Sequence, residues 1–242
     1  MSVSLKNQTV LVVGASSGIG RESALLFVRE GANVMAAARR HDRLEMLAAD
    51  AAAGPGKIAT VTGDASDYAA AERMVAETRA QFGSLDILVF AAGINTPDRS
   101  LKRLSPAIWD SLLSVNLNAA FYVTHAALPH FRNQMGGLMV FVSSISGLLP
   151  DVSGAAYQAS KRGLVGLAHA IRVEEKENGI RTSVVCPGLV HTELLNQRPV
   201  KPDKETLAKA LLPEDVAEVI VAIAKLPVRA TVPEVQILPT LI

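Results

Sequence analysis

Cysteine is nearly missing from this chain. Cys186 stands alone among 242 residues, which excludes an internal disulfide and a cysteine-built metal centre. Net charge is just as scarce, +1 at pH 7, so nothing electrostatic favours nucleic acid or an anionic membrane as a partner. No apolar run is long enough to span a bilayer, and the opening MSVSLKNQTV has no apolar core of the kind a secretory signal carries. The five histidines fall into no HExxH spacing, and each reads as a structural or surface residue rather than a metal ligand. Repeats, low-complexity tracts and interior linkers are missing too. These absences leave the expectation of a cytoplasmic protein without a metal, with one domain over residues 1–242 and length enough for a large core.

What the chain does have is alternation. Short apolar, β-branched runs predict strands at Thr9–Val13, Asn33–Ala38, Lys57–Thr62, Leu85–Ala91, Leu138–Val142, Arg181–Cys186 and Val232–Leu238. Amphipathic stretches between them predict helices. One closes at Gly31, and others cover Asp42–Ala53, Asp67–Phe82, a long Ser105–Arg132 region and Ser153–Lys176. Pro213, with Glu214 and Asp215 behind it, opens a last helix. Strand and helix in turn predict an α/β, single-domain, Rossmann-like doubly wound parallel sheet of about seven strands with helices on both faces. Residues 193–212 interrupt the pattern with a polar, Pro-bearing segment, helical only around Lys204–Leu211. A long irregular stretch in a compact domain is usually functional, and this one is the expected substrate-binding segment. The apolar ending LPTLI is expected to be buried against the sheet or a second subunit.

The first strand runs into Gly14-Ala-Ser16-Ser17-Gly18-Ile19-Gly20 and then a helix. A turn stripped of Cβ atoms lets backbone N–H groups and a helix N-terminus approach a pyrophosphate. At the end of the second strand Ala38 offers no carboxylate for ribose hydroxyls, whereas Arg39 and Arg40 follow at once. A guanidinium there suits a 2′-phosphate, so NADP(H) is the expected cofactor and NAD(H) the alternative. The competing reading pairs these arginines with Asp42 and Glu45. Asp64, just past the third strand, can accept from an adenine amino group or cap its own turn.

A second constellation lies further on. The run Leu138–Val142 delivers Ser143 and Ser144 onto a loop, and Tyr157-x-x-x-Lys161 follows. On a helix, Tyr157 and Lys161 sit one turn apart on one face, where an ammonium favours the phenolate. With a serine hydroxyl beside them they make an acid–base device for a carbonyl/alcohol pair. Asn116, an amide inside an apolar helical run, needs a bonded partner or a kink to hold.

Taken in order, Gly14-x-x-x-Gly18-Ile19-Gly20, Asp64, Ala92-Gly93, Asn116, Ser144, Tyr157-x-x-x-Lys161 and Pro187-Gly188 resemble the classical short-chain dehydrogenase/reductase family along essentially the whole chain. The resemblance implies Tyr157 as general acid in reduction and base in oxidation, and Ser144 as the group that polarises the substrate oxygen. It implies that Lys161 holds the nicotinamide ribose and lowers the Tyr157 pKa, and that Asn116 holds a proton-relaying water. Val190 (through its backbone) and Thr192 would hold the carboxamide. With Ser16, Ser17, Arg39, Arg40, Ala65 and Ala91 these positions complete the expected dinucleotide set. Two departures stand out: Val13 where the family usually has threonine, and Phe90-Ala91-Ala92-Gly93 where it has Asn-Asn-Ala-Gly. Both ends of a polar bridge would then be replaced by apolar packing, a paired change that can be nearly neutral.

The stretch from Pro213 to Val235 is similar to the branch of NADP-dependent 3-hydroxy acid (serine-type) dehydrogenases, and a homotetramer or dimer follows from the family alone. Arg99, Arg103, Arg198 and Lys201 flank the expected site, where they can meet a substrate carboxylate or simply face solvent. The leading expectation is an NADP-dependent oxidoreductase acting on a secondary alcohol or ketone. A 3-oxoacyl thioester reductase uses the same catalytic set, and a non-catalytic NADP(H)-binding redox sensor would need only the nucleotide half.

Overall fold

The computed structural model describes residues 3–242. Its strands are β1 (Thr9–Val13), β2 (Asn33–Ala38), β3 (Lys57–Thr62), β4 (Ile87–Phe90), β5 (Gly137–Val142), β6 (Ile180–Pro187) and β7 (Glu234–Ile237). All pair in parallel, in the order β3-β2-β1-β4-β5-β6-β7. The helices are α1 (Gly18–Arg29), α2 (His41–Ala51), α3 (Tyr68–Phe82), α4 (Pro106–Leu113), α5 (Ala119–Asn133), α6 (Ala155–Glu174), α7 (Lys204–Lys209) and α8 (Pro213–Ala224).

Strand residues alternate between the two faces of a sheet, and here each face is a core. Val10 and Val12 of β1 pack with α1, α2 and α8 residues such as Phe27, Leu44 and Ile220. Leu11 and Val13 pack on the other side with Met74, Phe131 and Leu164 of α3, α5 and α6. A strand buried on both faces has no use for a polar residue, which is why these runs read as continuously apolar. Val13 and Phe90 lie together in the second core, and the backbone link remains, with Ala91 N–H donating to the Val13 carbonyl at 2.8 Å. Apolar packing thus stands where the family's polar bridge would be, as the two departures imply.

Strand order reverses between β1 and β4, so the loops leaving their C-terminal ends diverge and open a crevice. Gly14 follows β1 and Ala91 to Gly93 follow β4, placing both at this crevice.

Several boundaries differ from the sequence reading. The expected Ser105–Arg132 helix is two helices joined by a π-helical turn at Ser114–Asn118. The last strand begins two residues later than expected, at Glu234. The apolar end is not covered by this chain: Leu238 is 51%, Leu241 72% and Ile242 54% exposed. The sheet stops at β7 and offers the tail no further groove. None of the described helices is long and apolar enough to cross a membrane.

Candidate active site

One cavity of about 680 Å³ occupies the crevice. Of the residues expected to hold the dinucleotide or carry the chemistry, all line it except Gly20 and Asn116. Gly20 acts on the turn's shape instead, since a Cβ there would lie 2.4 Å from the Gly14 carbonyl oxygen. Gly14 itself has φ +91°, and a Cβ on it would meet the Ala92 nitrogen at 2.5 Å. The close approach of the turn to the end of β4 therefore excludes any side chain. Ser17, the N-cap of α1, makes no side-chain capping bond, so the first-turn amides have no side-chain acceptor and remain available to a phosphate.

The two arginines after β2 divide. Arg40 donates to Ser16 Oγ at 3.1 and 2.8 Å, to Ser17 Oγ at 2.7 Å and to Glu193 Oε2 at 3.1 Å. Arg39 is more exposed and stands 3.6 Å from Asp64 Oδ2. Neither uses Asp42 or Glu45. Asp64 caps its own turn and also faces Arg39: Oδ1 accepts from the Ser66 backbone at 3.0 Å and hydroxyl at 2.8 Å, and Oδ2 is turned to that guanidinium. Burial pushes its carboxyl up, but the Ser66 bonds and Arg39 outweigh it and leave the group below its usual range. Glu193, unrecognised in the sequence, clasps both Arg40 and Arg43. No local signal reveals it, because its partners lie some 150 residues away. Thr192 is close behind, its Cγ2 3.2 Å from where a Gly18 Cβ would be.

Tyr157 and Lys161 share one face of α6 and are 7% and 4% exposed. Lys161 Nζ donates to the Val142 carbonyl at 3.0 Å and lies 5.8 Å from the centre of the Tyr157 ring. Here the electrostatics differ from expectation. Burial drives the Tyr157 phenol upward, with Asp151 adding to the rise; a Ser144 hydrogen bond, Arg99 and Arg198 pull the other way. Lys161 is not among the groups that shift Tyr157, and burial brings its own ammonium down to about 8. Both groups lose water, and desolvation penalises each charged form. The result suits a proton donor, because the phenol stays protonated at neutral pH.

Ser144 Oγ contacts Ser146 Oγ at 3.2 Å, and Ser146 donates in turn to Asp151. Asp151 also accepts from the Ser153 amide at 2.8 Å and hydroxyl at 3.0 Å. This serine–aspartate network was not foreseen. Asn116 satisfies the expectation of a partner and a kink together. It sits in the π-helical turn, accepts from Ile94 N–H at 2.7 Å, and donates to the Ile94 carbonyl and Ser160 Oγ, both at 3.0 Å. Its Nδ2 is fully used, which leaves one lone pair on Oδ1. A Cβ on Gly93 would lie 3.2 Å from Lys161 Nζ and 3.6 Å from that oxygen, so Gly93 keeps the gap between the two open. Leu194 and Leu195 give the pocket an apolar wall. Leu148 turns into the core and Leu149 faces solvent, because the loop after β5 closes on itself through Asp151.

Residues 8–203 match the profile of a family described as short chain dehydrogenase. A 3-oxoacyl-(acyl-carrier-protein) reductase FabG of Thermotoga maritima is 33% identical over 225 residues, 91% of each chain. A 3beta-hydroxysteroid dehydrogenase 2 of Eggerthella lenta is 33% identical over 208 residues, 85% of this chain and 79% of its own. Among solved structures, an alcohol dehydrogenase from the archaeon Thermococcus sibiricus, complexed with 5-hydroxy-NADP, superposes with a TM-score of 0.87 at 25% identity over 97% of each chain.

Proposed function

The chain belongs to the short-chain dehydrogenase family of oxidoreductases acting on alcohol and carbonyl groups, and we propose that it uses NADP(H) to interconvert a secondary alcohol and a ketone. The observation that carries this reading is one cleft with two chemically distinct ends. Buried Tyr157, Ser144 and Lys161 converge at one end, and Arg39 and Arg40 stand over the glycine turn at the other.

The residues fit a dinucleotide. The Gly14 turn admits no Cβ, the first-turn amides of α1 are uncapped, and Ala38 leaves the ribose without the carboxylate that would repel a 2′-phosphate. Bound there, the nicotinamide supplies or accepts the hydride. Tyr157, held protonated by burial, delivers its proton to the carbonyl oxygen as negative charge develops on it. Ser144 sits beside that phenol to share the load on the same oxygen. Lys161 holds the ribose side of the site, and the open Oδ1 lone pair of Asn116 can anchor a water that returns a proton toward Tyr157. Reduction of 3-oxoacyl thioesters is the second reading, favoured by the Thermotoga relative. A redox sensor has no need of a buried, protonated phenol poised at the ligand.

Paired titration with NADPH and NADH tests the cofactor half: the parent should prefer NADPH, and Arg39→Ala should erase most of the preference. Tyr157→Phe should lower kcat with small ketones by about 10²–10⁴-fold, the usual worth of a positioned acid. Turnover at the parental rate would remove Tyr157 from the mechanism.

A further inference from the structure

We propose that Arg99 and Arg198 form a clamp for the carboxylate of an oxo- or hydroxy-acid substrate at the Tyr157 end of the cleft. The proposal rests on the oxidoreductase reading and adds the charge of the substrate to it.

Four cations flank the site in the sequence, and the fold separates them. Arg103 pairs with Asp98 at 3.5 Å and lies outside the cavity, as does Lys201. Arg99 and Arg198 line the cavity. They reach it from opposite parts of the chain, Arg99 from the loop after β4 and Arg198 from the end of the helical turn at Glu193–Gln197. Arg99 is anchored through backbone carbonyls, with Nε on Thr96 at 2.9 Å and Nη2 on Gln197 at 3.1 Å. Its Nη1 has no acceptor, and Arg198 donates no side-chain bond, among the described residues. Neither forms an ion pair there.

Two guanidiniums therefore line one cavity with no ion pair to either among the described residues. Burial and the proximity of Arg198 both pull the Arg99 pKa down, the signature of a positive charge in an unfavourable place. An anion entering between them relieves both effects. Asp151 is the neighbouring negative charge, but its oxygens are taken by Ser146 and Ser153. Around Tyr157 two guanidiniums thus face one engaged carboxylate. The planar fork of arginine matches a carboxylate with two parallel N–H···O bonds. A carboxylate held there tethers the substrate so that its carbonyl meets Tyr157 and Ser144. The carboxylate itself is unchanged by the reaction; the carbonyl carbon gains a hydride and its oxygen a proton.

The test compares 2-oxobutanoate, acetoacetate and 4-oxopentanoate with their methyl esters, using NADPH, on the parent, Arg198→Gln, Arg99→Gln and Arg99→Lys. For at least one pair the acid should exceed its ester in kcat/KM by tenfold or more. Arg198→Gln should cut that acid-to-ester ratio at least tenfold, mainly through KM, and Arg99→Lys should retain more of it than Arg99→Gln. Arg198 carries the cleaner result, because its side chain supports no loop. Esters matching or exceeding their acids throughout, or acid and ester falling together in Arg198→Gln, would overturn the clamp and leave the oxidoreductase reading standing. An Arg198 effect confined to acetoacetyl-coenzyme A, whose charge sits on phosphates, would assign the pair to a phosphate instead. If NADPH binds and no carbonyl compound consumes it, the oxidoreductase reading itself falls.

Discussion

Lys161 is a buried charge without an ionic partner among the described residues: 4% exposed, with one hydrogen bond, to the Val142 carbonyl. Burial lowers its pKa to about 8 from 10.5. Between those values the unfolded chain keeps a proton that the folded chain has shed, so stability rises with pH across that window. Below it, the buried ammonium is a standing cost. Without added dinucleotide, the parent should gain about 2 kcal/mol relative to Lys161→Met between pH 7.5 and 9.5, read by urea unfolding. A flat difference would mean that Lys161 is well solvated in the native state. Cys186, whose thiol burial raises to about 11, pushes the other way above pH 9, and the comparison with the variant cancels it. The Tyr157-x-x-x-Lys161 spacing is legible in the sequence because helical periodicity is local. The direction of the pKa shifts is not, because it depends on how much of the fold closes over the pair.

Among the elements, the segment after β6 is the one whose side-chain ties reach both sides of the cleft. Its helical turn at Glu193–Gln197 is tied to the nucleotide side of the cleft through Glu193, which takes Arg40 and Arg43 together. Its other tie, the Arg99 bond to the Gln197 carbonyl, reaches the loop after β4. Both Glu193 bonds are about half exposed, and solvent screening leaves such pairs little net worth. Glu193→Gln should therefore leave the melting temperature within about 2 °C of the parent. Amide exchange over residues 193–212 should quicken severalfold all the same. Unchanged exchange would show that the clasp does not hold the segment. The break at Asn116 belongs to this scale too. A polar residue in an apolar helical run signals that something must be satisfied there, but the π-helical turn that satisfies it requires Ile94 and Ser160 to arrive from other elements.

For the whole molecule, the two cores flanking one parallel sheet make the centre of the sheet its least accessible region. Cys186 on β6 is 0% exposed and its thiol is pushed up to about 11. A thiol so buried and so little ionised is inert until the chain opens. Labelling with a chromogenic disulfide should therefore be negligible in native buffer over an hour, complete within minutes in concentrated urea, and limited by unfolding in between. Rapid native labelling would mean that β6 opens locally, independently of the rest of the sheet.

The sequence alone determined the class of fold and the positions of the strands, and it singled out the candidate reactive groups. Those follow from local rules: apolar runs for strands buried on both faces, glycines where the turn has no room for Cβ, and a helical spacing that sets Tyr157 beside Lys161. Only the tertiary structure decided which of four flanking cations enter the cleft, which arginine grips the serines of the glycine turn, and that Glu193 is the clasp. It also decided that the phenol is held protonated. Each of these depends on residues far apart in the chain and on the water that packing removes, and neither is written in the spacing of neighbours.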